Sequence, residues 1–120
     1  MASEHNYGLR RVWYALRYSL KGLRAAWRKE EAFRQEVVVV LLAVPVAWYV
    51  GESALERAIL IVVVLQVLLV ELLNTGIEAV VDRIGADRHK LSGRAKDVGS
   101  AAVLMAILIA AVVWGLLLFD

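Results

Sequence analysis

Residues 70–82 read VELLNTGIEAVVD, and four polar side chains, Glu71, Asn74, Glu78 and Asp82, interrupt an otherwise aliphatic run. At about 100° per residue, all four fall on one helical stripe roughly 80° wide. The stripe is costly. An acidic residue at mid-membrane costs about 2.5–3.5 kcal/mol on an insertion scale, less toward the edge, and three carboxylates in a row repel one another. Carboxylates with an amide near the lipid headgroup level suit a magnesium ion carried by a polyphosphate, because Mg²⁺ takes one or two carboxylates and completes its shell with phosphate oxygens and water. For Asp82, the solvated end of a long helix is the alternative reading.

Two further polar clusters are expected at the same membrane level. KEEAFRQE (29–36) contains Glu30 and Arg34, whose spacing of four allows a surface ion pair. SGRAKDVGS (92–100) contains Lys96 and Asp97, which taken alone could be ordinary solvated charges. Three charged clusters meeting at one edge make a site.

The rest of the chain must hold these clusters in place. The 120 residues form one domain, 61% hydrophobic yet 22% charged, with a mean hydropathy of +0.65. A soluble domain is nearer 45–50% apolar, so grease and charge are segregated along the chain, as in a membrane protein. From Gly8 to Lys29, Leu9, Val12, Trp13, Leu16, Leu20, Leu23 and Trp27 recur at steps of three and four, opposite Arg10, Arg17, Lys21, Arg24 and Arg28. This predicts an amphipathic helix over 8–29 lying on the membrane surface. Membrane-crossing helices follow at about 33–50, 54–82 and 99–119. The first contains Pro45, tolerable in lipid and expected to bend it, with Trp48 and Tyr49 as interfacial anchors. Gly51-Glu52-Ser53 is a turn. Ser92 is the expected N-cap of the last helix. Ala102, Ala106 and Ala110, with Ala111 and Gly115, have the spacing that lets helices approach closely in lipid. The fold class is all-α.

Charge sets the orientation. Thirteen of the fourteen Lys and Arg lie before the first span or between the second and third, and only Arg57 lies on the other side. The positive-inside rule puts the N-terminus in the cytoplasm and Asp120 outside. No cleavable signal peptide is visible. There is no Cys, hence no disulfide framework. No phosphate-binding Gly-rich loop and no protein-kinase signature is present. His5 and His89 are too isolated for a zinc site. The basic helix, with its interleaved aliphatic face, fits anionic lipid better than nucleic acid.

KGLRAAW (21–27), EAFRQE (31–36), LLAV (41–44), VELLNTGIEAVVDRIG (70–85) and LSGRAKDVGSAAVL (91–104) together resemble the small integral membrane diacylglycerol kinases of bacteria. The resemblance spans about Gly8 to Trp114. It implies a homotrimer in the bacterial inner membrane with sites shared between subunits and a periplasmic C-terminus. ATP with Mg²⁺ would phosphorylate the sn-3 hydroxyl of diacylglycerol to give phosphatidic acid. Glu71 matches the family's general base, and Glu30 and Glu78 its metal-binding carboxylates. Asn74, Lys96 and Asp97 match polar residues near the phosphates. Arg11, Tyr18 and Asp87-Arg88-His89 match nucleotide contacts. Ser19, Arg24, Trp27, Glu36 and Ser100 match the lipid side. Lys29 beside Glu30, Thr75-Gly76 and the loop GADRHKL depart from the pattern, while the core motif is intact. Relatives that phosphorylate undecaprenol form the nearest alternative, against which Glu36 and Trp27 favour diacylglycerol. A small multidrug-type transporter would need four spans, and a structural scaffold without catalysis is the reading that full lipid kinase activity in Glu71→Gln would favour.

Overall fold

The computed structural model describes residues 4–85 and 89–119, and all of the regular structure there is helical. Four helices run in order: α1 (Glu4–Lys29), α2 (Glu31–Val50), α3 (Ala54–Ile84) and α4 (Lys90–Phe119). Helix α1 begins four residues before the expected start, and α2 begins two residues before it.

Three of the four, α2, α3 and α4, are long and apolar enough to cross a membrane. At 1.5 Å per residue, α2 is about 30 Å long, the thickness of the hydrocarbon layer. Helices α3 and α4 are about 45 Å long and must overshoot that layer at one end. The polar composition of 71–84 and 90–98 shows which end.

The core is narrow. Leu60, Val63, Val64 and Val67 of α3 are buried, as are Phe33, Val40 and Ala47 of α2 and Ala106 of α4. Helix α3 packs most extensively on α4, then on α2, whereas α1 touches the rest only near its end. Long runs of Leu, Val and Ile on all three spans stay exposed, including Leu41, Leu42, Leu69 and Leu104. Lipid or another copy of the chain has to cover them.

Two polar contacts tie α3 to α4 inside this apolar layer. Gln66 Nε2 donates to the Ala106 carbonyl at 2.7 Å, and Trp114 Nε1 donates to the Leu60 carbonyl at 3.1 Å. Ala106, the middle residue of the small-residue series, is buried and accepts the Gln66 bond, while Ala102 remains exposed. In hydrocarbon no water competes for these carbonyls.

Chain reversals have local causes. Ser53 caps α3 by accepting the Glu56 N–H at 3.1 Å. Arg57 donates through Nε to the Trp48 carbonyl at 2.9 Å and lies over the Trp48 ring at 4.9 Å from its centroid. The one cation of the far side thus closes the end of α2. A side chain at Gly51 would meet Arg57 Cγ and the Ala47 carbonyl, so this buried corner needs glycine.

At the other end Ser92 does not cap α4. The helix starts at Lys90, Ser92 lies inside it, and His89 takes the capping role through Nδ1, which accepts the Leu91 N–H at 3.0 Å. A ring nitrogen in reach of the second helical N–H substitutes for a hydroxyl three residues later.

Candidate active site

The α1–α2 junction sets one wall. At Glu30 the backbone leaves the helix (φ −116°, ψ 108°) and α2 begins at Glu31. The expected Glu30–Arg34 pair does not form. Arg34 Nη1 instead donates to the carbonyls of Trp27 at 2.7 Å and Arg28 at 3.2 Å, which α1 leaves unsatisfied at its C-terminus. Glu30 is the N-cap residue of α2, yet its side chain makes no capping hydrogen bond. Its carboxylate is therefore committed to neither role.

Helix α3 supplies the other wall. Glu71 and Asn74 are the two buried polar side chains among the described residues, each 7% exposed. Glu78 is half-buried, about two turns beyond Glu71. Asn74 Nδ2 donates to Glu78 Oε1 at 2.9 Å, so the amide holds the carboxylate in place. Asn74 Oδ1 is buried without a partner. The carboxylates of Glu30, Glu36 and Glu78 all lie within electrostatic reach of Glu71. Four acidic groups from the α1–α2 junction, α2 and α3 thus share one region, and Glu36, assigned by resemblance to the lipid side, is among them.

Helix α4 closes the site. Lys96 Nζ pairs with Asp82 Oδ1 at 2.6 Å, the one ion pair among the described residues. Asp82 holds the Lys96 ammonium above its ordinary value, through the hydrogen bond first and charge second. Glu78 adds to the same field. Gly99 lies directly against Asn74. Asp97 and Ser100 are on the same segment and exposed.

A cleft of about 700 Å³ runs between α1 and α3. Ser19, Lys29 and Glu30 line one side, and Thr75, Gly76 and Asp82 the other. Small residues, Gly22, Ala25, Gly76 and Ala79, keep it open. Asp82 lines this cleft while its side chain stays largely exposed. Ser19 Oγ is turned inward on its own helix, donating to the Ala15 carbonyl at 2.8 Å. Arg11, Tyr18, Arg24 and Trp27 are on α1 and exposed, with Tyr18 stacked on Tyr14. His89 is the α4 cap, and Asp87 and Arg88 lie outside the described residues.

The structure therefore joins Glu30, Glu36, Glu71, Asn74 and Glu78, sets Lys96 at their edge, and leaves Arg11 and Tyr18 farther along α1. Sequence reasoning missed Gly99. Helix α4 carries three glycines, Gly93, Gly99 and Gly115, and nothing in their spacing marks the one that meets Asn74.

The donors fit magnesium in the manner expected of a shared ion. No group of three or more His, Cys, Asp or Glu among the described residues could hold a metal alone. Two carboxylates from different elements, the unpaired Glu30 and the Asn74-bonded Glu78, are the kind of donors Mg²⁺ takes when a polyphosphate supplies further oxygens.

A family model described as prokaryotic diacylglycerol kinase matches residues 17–118, the second half of α1 and nearly all of α2 to α4. The chain belongs to that family. It is 57% identical over 113 residues to a diacylglycerol kinase of Escherichia coli (strain K12), covering 94% of this chain and 93% of the relative. It is 49% identical over 113 residues to a diacylglycerol kinase of Pseudomonas aeruginosa, covering 94% and 92%. It is 46% identical over 112 residues to one of Haemophilus influenzae, covering 93% and 95%.

Proposed function

We propose that this chain is a diacylglycerol kinase that transfers the γ-phosphoryl group of ATP to the sn-3 hydroxyl of 1,2-diacylglycerol, giving phosphatidic acid and ADP. The observation that carries this reading is the pair of buried side chains Glu71 and Asn74, on the part of α3 read as leaving the hydrocarbon, with Glu78 held by Asn74 and the Glu30 carboxylate free of any capping bond. Close relatives named diacylglycerol kinase, aligned over nearly their whole length, support it.

Glu71 acts as the general base. Its carboxylate takes the proton of the acceptor hydroxyl as that oxygen bonds to the γ-phosphorus and the bond to the ADP oxygen breaks. A lipid whose chains stay in the bilayer presents its headgroup hydroxyl at the depth Glu71 occupies. Glu30 and Glu78 would hold magnesium, which when bound neutralises phosphate charge. Asn74 aims Glu78 through its hydrogen bond. Lys96 extends from α4 toward the same region and offsets negative charge on the phosphates, with Asp82 steadying it and Asp97 beside it. Phosphoryl transfer asks the protein chiefly for such positioning and charge neutralisation.

Arg11 and Tyr18 of α1, with Asp87, Arg88 and His89 after α3, contact the nucleotide. Ser19, Arg24, Trp27, Glu36 and Ser100 serve the lipid side, with the α1–α3 cleft as the entrance. The protein is a multi-pass protein of the bacterial inner membrane, with α1 on the cytoplasmic surface, the N-terminus inside and the C-terminus in the periplasm. It assembles as a homotrimer. Three spans cannot surround a polar cluster of this size, and the exposed apolar flanks of α2 and α4 need cover.

The test is transfer of labelled γ-phosphate from ATP to diacylglycerol in mixed micelles, comparing wild type with Glu71→Gln and Glu78→Gln, with undecaprenol as a competing acceptor. Product from diacylglycerol in wild type and loss in both variants is expected. Preferential labelling of undecaprenol, or full activity in Glu71→Gln, overturns the reading.

A further inference from the structure

Gly99 stands on α4 facing Asn74, and three observations about this contact point the same way. A Cβ built at Gly99 falls on top of Asn74 Oδ1, closer than any real contact allows, and crowds Asn74 Cγ. The nearest atoms it would meet all belong to Asn74, so Asn74 is the neighbour that requires glycine here. Asn74 itself is 7% exposed, and its Oδ1 is buried without a hydrogen-bond partner. The other end of the same amide, Nδ2, donates to Glu78 Oε1.

The amide can be oriented only one way. A flip would face the carbonyl oxygen to the Glu78 carboxylate, two acceptors with no proton between them. With Nδ2 committed to Glu78, Oδ1 must point at α4, and only a residue without a side chain leaves room for it. A buried acceptor without a partner costs free energy, and that cost is tolerated where it fixes a functional group.

We propose that Gly99 is a positioning residue: by leaving space for Asn74 Oδ1, it locks the Asn74 amide in the rotamer that aims Glu78 at magnesium and nucleotide. The inference rests on the reading that Glu78 is a magnesium-holding carboxylate, and it extends that reading to a residue on a different helix. Helix α4 thereby sets the geometry of a ligand on α3. Contacts Gln66–Ala106 and Trp114–Leu60 keep α4 in the register that brings Gly99 opposite Asn74.

The test compares Gly99→Ala, Asn74→Ser and the double variant in detergent micelles with three readouts. The Asn74 side-chain amide is followed by ¹⁵N NMR in wild type and Gly99→Ala, affinity for magnesium with ADP by calorimetry, and kcat with diacylglycerol KM by phosphate transfer. In Gly99→Ala the Asn74 amide resonances shift, magnesium–ADP affinity or kcat falls about 10- to 100-fold, as when a group orienting a metal ligand is removed, and diacylglycerol KM stays within about twofold. The double variant is no worse than Asn74→Ser, because serine removes the collision. If Gly99→Ala does not fold, the double variant must fold.

The inference is overturned if the Asn74 resonances and magnesium–ADP affinity are unchanged in Gly99→Ala, if diacylglycerol KM rises instead, if the double variant falls well below Asn74→Ser, or if the double variant also fails to fold. Absence of magnesium–ADP binding to wild type would instead remove the reading of Glu78 on which the inference is built.

Discussion

Replacing Glu71 by Gln is expected to make the protein more stable and nearly inactive. Glu71 is only 7% exposed, and the carboxylates of Glu30, Glu36 and Glu78 lie within electrostatic reach, with no basic group paired to it among the described residues. The insertion cost of an acidic residue is about 2.5–3.5 kcal/mol at mid-membrane and falls toward the edge. Helix α3 reaches Glu71 after 17 residues from Ala54, about 26 Å, so the side chain sits close to the limit of a 30 Å layer. About half the mid-membrane figure then applies, and removal of the charge with retention of shape should add about 1–2 kcal/mol. Loss of a general base lowers kcat by about 10²- to 10⁴-fold. Unfolding in mixed micelles by rising sodium dodecyl sulfate, followed by Trp fluorescence, reports the first quantity, and γ-phosphate transfer to diacylglycerol the second. A Glu71→Gln protein that is less stable than wild type refutes the argument from unrelieved carboxylates. One that keeps more than about a tenth of wild-type kcat refutes the role as base.

Lys96→Met should leave the unfolding midpoint nearly unchanged, because its pair with Asp82 is solvent-exposed, yet lower kcat at least about tenfold; a loss of stability as marked as the loss of activity would count against a role at the phosphates. Since Asp82 holds Lys96 above its ordinary value of 10.5, the pair is fully present below that pH and is lost only as pH rises beyond it. A kcat profile across pH 6–9 should accordingly carry no step that Lys96→Arg removes. Arg57→Ala should cost about 1–2 kcal/mol by opening the end of α2 and removing the contact with the Trp48 ring, with kcat per folded molecule unchanged, as unfolding curves and specific activity together would show. Trp114→Phe should cost about 0.6 kcal/mol, a typical hydrogen bond between membrane helices; a loss above 2 kcal/mol would mean that the groove it lines with Val46 and Ile107 carries the effect.

Much of the fold is legible before any coordinates. Helices α1 to α4 follow from apolar residues at steps of three and four and from runs of Val, Leu and Ile without polar interruption. The turn at Gly51–Ser53 follows from its glycine and its capping serine. The stripe of Glu71, Asn74, Glu78 and Asp82 follows from the pitch of one helix. Capping was less legible. Ser92 is the better capping residue in isolation, but His89 lies nearer the start of α4 and its ring reaches the Leu91 N–H. The spacing of Glu30 and Arg34 suits an ion pair within one helix, but the helix is broken at Glu30, and Arg34 turns to the bare carbonyls at the end of α1.

By itself, then, the sequence determined four helices, three of them able to cross a membrane, the side bearing the cations, and an acidic stripe near one end of α3. All of these depend on residues within a few turns of one another, where helical pitch fixes what faces what. The tertiary structure decided how α3 and α4 register, and with it the placing of Gly99 against Asn74, the pairing of Lys96 with Asp82, and the gathering of Glu30 and Glu36 about Glu71. Register between helices is set by side chains interlocking across an interface, a relation between residues dozens of positions apart that no periodicity along the chain encodes.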